Sequence, residues 1–278
     1  MSTHESVLIY RGFRYLKLAS MAAVVAVAAY AVHSPLGEPN GGTWLGYTLG
    51  GVGAALILWL MWFGIRKRRY ASGHGKLEDW LSAHIYLGLA LIIIATLHTG
   101  FQFGMNIHTL AYALMMLVII TGIYGLYAYI RYPREMTDNR RGLSLDNLLQ
   151  QIAELGHECN NLSMNLSDEI NVVMVDAGIN TKIGGGFFRQ LSGHDPNCPS
   201  MAALDRVQVM AATLQGQEAV HARRLITRLS RRCELLSRAR KDVRYQALMQ
   251  VFLFVHVPMS FALLAALSSH VFIVFFYW

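Results

Sequence analysis

Ionisable charge is nearly missing from five long stretches of this 278-residue chain. Segments 16–33, 44–65, 80–103, 107–130 and 247–277 contain Lys17 at one edge and no other Lys, Arg, Asp or Glu. Charged residues make up only 15% of the whole, against 54% hydrophobic, and the mean hydropathy is +0.34. A soluble domain of this size carries more charge, and each stretch is long enough to cross a bilayer. Cysteine is also scarce: Cys159, Cys198 and Cys233 are the three in the chain. No Cys-x-x-Cys-His occurs, which excludes covalently attached c-type haem, and no cluster motif argues for iron–sulfur. Reduced thiols are the simple expectation. Carboxylates are absent from the spans, which argues against a proton relay. No nucleic-acid motif accompanies the formal net charge of +7, so no nucleic-acid partner is expected.

Basic residues cluster on one side of the expected topology. The 24 Lys and Arg residues fall in the N-terminal arm, in the Arg66-Lys67-Arg68-Arg69 loop through Lys76, and between Arg131 and Arg244. With five spans these regions share a side, which the positive-inside rule makes cytoplasmic. The expectation is a multi-pass protein of a bacterial inner membrane, with the N-terminus and the 131–246 insert cytoplasmic and the C-terminus periplasmic. The first apolar run follows Arg11, Arg14 and Lys17 as in a secretory signal, but its length favours a retained helix.

The expected fold class is all-α, a five-helix membrane bundle with a cytoplasmic helical hairpin inserted between helices 4 and 5. Three parts follow: 1–130 with the first four spans, 131–246 as a coiled-coil insert, and 247–278 as the fifth span. Within the insert, Leu145, Ile152, Cys159, Leu166 and Val173 recur every seventh residue, with Leu148, Leu155 and Leu162 three places later. Ala222, Leu229, Leu236 and Val243 repeat the period in a second run. Gly184-Gly185-Gly186 and the stretch 192–199 break any helix between them. The first arm is acidic and the second rich in arginine, which suits either arms that attract each other or a docking face for an acidic partner.

Histidine carries the functional signal. His84 and His98 lie fourteen residues apart in the third span, and His256 and His270 repeat that interval in the fifth. Fourteen residues is close to four helical turns, so both histidines of a pair leave one face, roughly 21 Å apart along the axis. Histidine is costly inside a bilayer and is read there as functional. In a five-span topology the third and fifth spans run the same way. His84 then lies level with His256, and His98 with His270, so each level can hold one b-type haem by two neutral imidazoles. One zinc site using all four fails on distance. The cofactor expectation is two non-covalent bis-histidine haems, with a quinone as a further ligand. Gly88, Leu91 and Ala95 on one stripe, and Ser260, Leu263 and Leu267 on the other, fit close approach of a flat macrocycle; Gly88, Ala95 and Ser260 are the candidate contacts. Pro258 is expected to kink its helix, and Gly50 and Gly64 repeat the interval on a neighbouring span. Lys76, Arg131 and Arg244 are candidates to neutralise haem propionates. His33 and His108 are expected at the membrane boundary, either free or against a quinone headgroup. His157, His194 and His221 are expected to face solvent.

The two spaced pairs resemble those of transmembrane dihaem cytochromes b, as in the cytochrome b subunit of bc complexes and the ferric-reductase and NADPH-oxidase membrane domain. The resemblance covers the last three spans and rests on spacing. It implies that the four histidines are axial ligands. The Pro-Glu-Trp-Tyr quinol-oxidation motif of the bc subunit is absent, and the coiled-coil insert belongs to neither group. Three functions are left: an electron-transferring subunit of an oxidoreductase complex, with a quinone or periplasmic carrier and other subunits as partners; a self-contained quinone or ferric reductase; and a haem-based sensor with coiled-coil output.

Overall fold

A computed structural model describes residues 7–68 and 77–276, with the side chains of 67 and 68 left aside. Among the described residues the fold is all-helical, without strands. The helices are α1 Tyr10–Val32, α2 Trp44–Arg68, α3 Leu77–Thr99, α4 Ile107–Arg140, α5 Leu145–Ser163, α6 Asp168–Asn180, α7 Phe187–Ser192, α8 Pro199–Ala211 and α9 Gly216–Phe276. Five of them, α1 to α4 and α9, are long and apolar enough to cross a membrane. Packing divides the chain into two units. One holds 1–124 with 254–278, the other 125–253, so α4 and α9 contribute to both.

In the first unit, α1, α2 and α3 pack on one another. Ala26, Leu45, Leu49, Ile94 and Leu97 form one buried cluster, and Ile57, Leu91, Met115 and Leu263 another. Lipid replaces water around such a bundle, so many large apolar side chains face outward, Val24, Val25, Leu58 and Phe275 among them. Glu78 and Asp79 begin α3, where carboxylates complement the helix N-terminus, and Asp79 accepts a hydrogen bond from Tyr15 at 3.1 Å. Near the start of α1, Arg11, Gly12 and Phe13 adopt left-handed backbone angles, a break that two non-glycine residues sustain at a cost. At Pro258 the helix continues, although the proline supplies no N–H to the preceding turn.

The second unit departs from two continuous arms. The first expected arm is divided at 164–167 into α5 and α6, and the second at 212–215 into α8 and α9. Ser144 caps α5 by accepting the Asn147 N–H at 3.1 Å. Up to Cys159 the seam follows the heptads, with Leu148, Ile152, Leu155 and Cys159 buried. Beyond the break, the buried positions are Ile170, Met174 and Ala177, while Leu166 and Val173 are only partly covered. The extra non-helical residues rotate α6, so the seam moves to a new stripe. In α9, Ala222, Leu229 and Leu236 are buried, as their spacing predicts, Leu225 is buried beside them, and Val243 is half-buried.

Two buried carboxylates in this unit are matched by arginines, whereas Arg232 Nε is buried with no hydrogen-bond partner. Asp242 is fully buried, where it pairs with Arg140 and accepts from Asn139 at 2.9 Å. Asp195 pairs with Arg189 and, at 3.3 Å, with Arg240. Burial pushes its carboxyl upward, but Arg189 and Arg240 outweigh that and hold it below the usual range. Arg228 and Glu158 join α9 to α5 at 3.2 Å. That pair is exposed and contributes about 0 to 1 kcal/mol. The three thiols are buried and free, and burial pushes Cys159 and Cys233 up to about 11. His157 and His194 face solvent as expected. His221 is half-buried, with its Nδ1 covered.

Candidate functional site

The first unit gathers the four singled-out histidines in two sets. His98 and His270 face each other with ring centroids 6.0 Å apart and planes at 89°. His256 is close enough to His84 to act on it electrostatically, and Leu91 and Leu263 meet in the cluster between the two sets. All three pairings share one offset in residue number, so α3 and the end of α9 run the same way in register. The layer of Ile57, Leu91, Met115 and Leu263 separates the two levels.

Neighbouring helices hold three of the four rings by a particular nitrogen. His98 Nδ1 lies 2.8 Å from the Gly46 carbonyl, which only accepts, so the ring donates there and Nε2 keeps its lone pair. Gly50, one turn further along α2, stands so close that a Cβ built on it falls 2.7 Å from His98 Cε1. On α4, the Thr121 hydroxyl lies 3.0 Å from His256 Nδ1, and Gly122 allows that ring to approach. The Val118 backbone also faces His256. His108 and His270 are hydrogen-bonded through their Nδ1 atoms, with centroids 4.5 Å apart. His84 differs: its Nδ1 is buried with no hydrogen-bond partner, Phe63 packs on it at 5.1 Å, and the Leu60 backbone lies beside the ring.

The other sequence candidates separate clearly. Gly88 borders open space one turn from His84, and Ala95 joins the cluster between the levels. Ser260 donates to the His256 carbonyl at 2.7 Å, a bond within its own helix. Gly64 also borders open space. Arg131 is ion-paired with Glu135 at 2.5 Å, and Arg244 lies against Gly193; both belong to the second unit. Lys76 lies outside the described residues. His33 sits edge-on to Trp44 with its Nε2 buried. His108 does not stand free at a boundary but packs on His270.

Gly46, Gly122 and Thr121 were not singled out in the sequence. Their signal was available only through the antiparallel course of α2 and α4, which sets Gly46 against His98 and Thr121 against His256. Chemically, the donor set is narrow. No group of three or more His, Cys, Asp or Glu is placed to hold an ion among the described residues. Two imidazoles at one level suit a metal whose remaining positions come from another donor, and 6.0 Å between centroids suits ring nitrogens each bonded at about 2 Å.

The architecture and this histidine core define the class: an all-helical, multi-pass membrane protein. No protein-family model, no curated protein and no solved structure matches the chain.

Proposed function

We propose that the chain is a membrane dihaem cytochrome of the b type, an electron-transferring subunit of an oxidoreductase complex. His98 and His270 hold one haem; His84 and His256 hold the other. The observation that carries this reading is the approach of His98 to His270, with the Gly46 carbonyl accepting a hydrogen bond from His98 Nδ1–H and leaving the Nε2 lone pair to bind. The chemistry supplied by bound haem is one-electron redox at iron. The chain's own residues would bind and orient it: two imidazoles at each level would hold the iron, and the apolar layer between the levels would exclude water. Iron held by two imidazoles would carry electrons rather than bind oxygen or substrate. In this reading the insert and N-terminus are cytoplasmic, the insert is the docking element for a redox partner, and a quinone or periplasmic carrier exchanges electrons on the other side. Transfer across the full membrane is coupled to the potential at about 2.3 kcal/mol per charge per 100 mV.

A reduced-minus-oxidised spectrum of the purified full chain, with haem extracted and quantified, tests it. Two b-type haems per chain are expected. His98→Ala or His270→Ala removes one, and His84→Ala or His256→Ala removes the other. A haem-free chain from haem-replete cells overturns the reading, as does loss of both haems from one substitution in a folded variant.

A further inference from the structure

We propose that α4 is an orienting helix, in which His108 and Thr121 are positioning residues that hold His270 and His256 by Nδ1 and leave Nε2 of each as the nitrogen that would bind haem iron. The inference rests on the two-haem reading and adds residues to it that touch only the ligands.

His108 and Thr121 lie thirteen residues apart on α4, and their partners His270 and His256 lie fourteen apart on α9. Two antiparallel helices with nearly equal intervals meet at both levels, so one element serves both ligands of its neighbour. Chance contact at one level would leave the other unmatched.

The Thr121 hydroxyl donates its hydrogen to the Val118 carbonyl at 2.9 Å, so its oxygen accepts from His256 Nδ1–H. That fixes the tautomer with a bare Nε2. Between His108 and His270 one neutral ring donates and the other accepts. If His270 accepted, its proton would sit on Nε2 and the ring could not ligate. His108 is therefore the acceptor, with its own proton on Nε2. An acceptor at Nδ1 both orients an imidazole ligand and raises its basicity. A more basic ligand favours the oxidised metal and lowers its reduction potential.

Potentiometric titration of each haem in the full-length protein tests this, with His108→Leu, His108→Asn and Thr121→Val. Asparagine places its side-chain oxygen where Nδ1 of histidine stands. In His108→Leu, the potential of the His98/His270 haem rises while the other stays; His108→Asn returns it. Thr121→Val raises only the His84/His256 haem, and by less, because the Val118 carbonyl remains beside the ring. Loss of the haem in His108→Leu with retention in His108→Asn supports the same role. Unmoved potentials, equal shifts of both haems, or failure of asparagine to restore the first overturn it. Haem present with unmoved potentials sinks this inference alone, whereas wild-type protein without haem sinks it together with the function it rests on.

Discussion

At the scale of single residues, the sharpest constraint on the site is the space left by one glycine. Gly50 faces a His98 ring that the Gly46 carbonyl already holds, so a methyl group there meets Cε1 at 2.7 Å and a retreat of the ring stretches the Nδ1 hydrogen bond. Contacts under 3 Å force something to shift, and here the shift falls on a proposed ligand. Gly51 on the same helix has nothing within 4 Å of an added Cβ. Gly50→Ala is therefore expected to lose or weaken the haem held by His98 and His270, while Gly51→Ala keeps both; alanine in a helix interior otherwise gains about 0.5 to 1 kcal/mol over glycine. Extracted haem per chain in the two variants decides it. Equal haem content in both would mean that the His98 ring has room to spare. The same reasoning treats Gly122→Ala as mild, since its Cβ would stand 3.4 Å from His256 Cε1.

Elements show what the sequence could and could not reveal. The five long apolar helices were legible because length and the absence of charge are properties of composition alone. The approach of His98 to His270 follows from the same arithmetic, since equal intervals on co-directional helices leave one register. The partners Gly46, Thr121 and His108 were not legible, because they lie on antiparallel helices whose relative offset no periodicity states. The insert follows its heptads only as far as the break after α5. Its heptads continue through Leu166 and Val173 on paper, but the non-helical residues at 164–167 turn α6, and Ile170 and Met174 become the fully buried positions. That rotation has a measurable consequence. Ile170→Ala opens a cavity in the cluster with Cys159, Val207 and Leu229, and is expected to destabilise the insert by about 2 to 5 kcal/mol. Val172 is 68% exposed, and Val172→Ala is expected to stay within about 0.5 kcal/mol. Thermal melts of the detergent-solubilised chain followed by circular dichroism compare them with Val173→Ala, which falls between. A Val173 variant that loses as much as the Ile170 variant would restore the uninterrupted heptad.

For the whole molecule the open property is which way it faces, and charge placement argues one direction. Loop residues between α1 and α2, and between α3 and α4, contain no Lys or Arg, whereas the insert contains most of them. The positive-inside rule predicts from this that the insert is cytoplasmic and that the two short loops lie outside. The native thiols make this testable with little background, since Cys159, Cys198 and Cys233 are all buried, and Cys159 and Cys233 are further held as protonated thiols at neutral pH. Single cysteines introduced at Leu36 and Met105, both fully exposed, report on the two short loops, and one at Phe188, 85% exposed, reports on the insert. In intact cells a membrane-impermeant maleimide is expected to label Leu36→Cys and Met105→Cys and to leave Phe188→Cys unlabelled until the membrane is opened. The reverse pattern inverts the orientation. Labelling of Leu36→Cys without Met105→Cys would place the two loops on opposite sides, which an even number of crossings between them forbids, so it would remove one of the intervening helices from the membrane and with it the shared direction of α3 and α9 on which the histidine pairing depends.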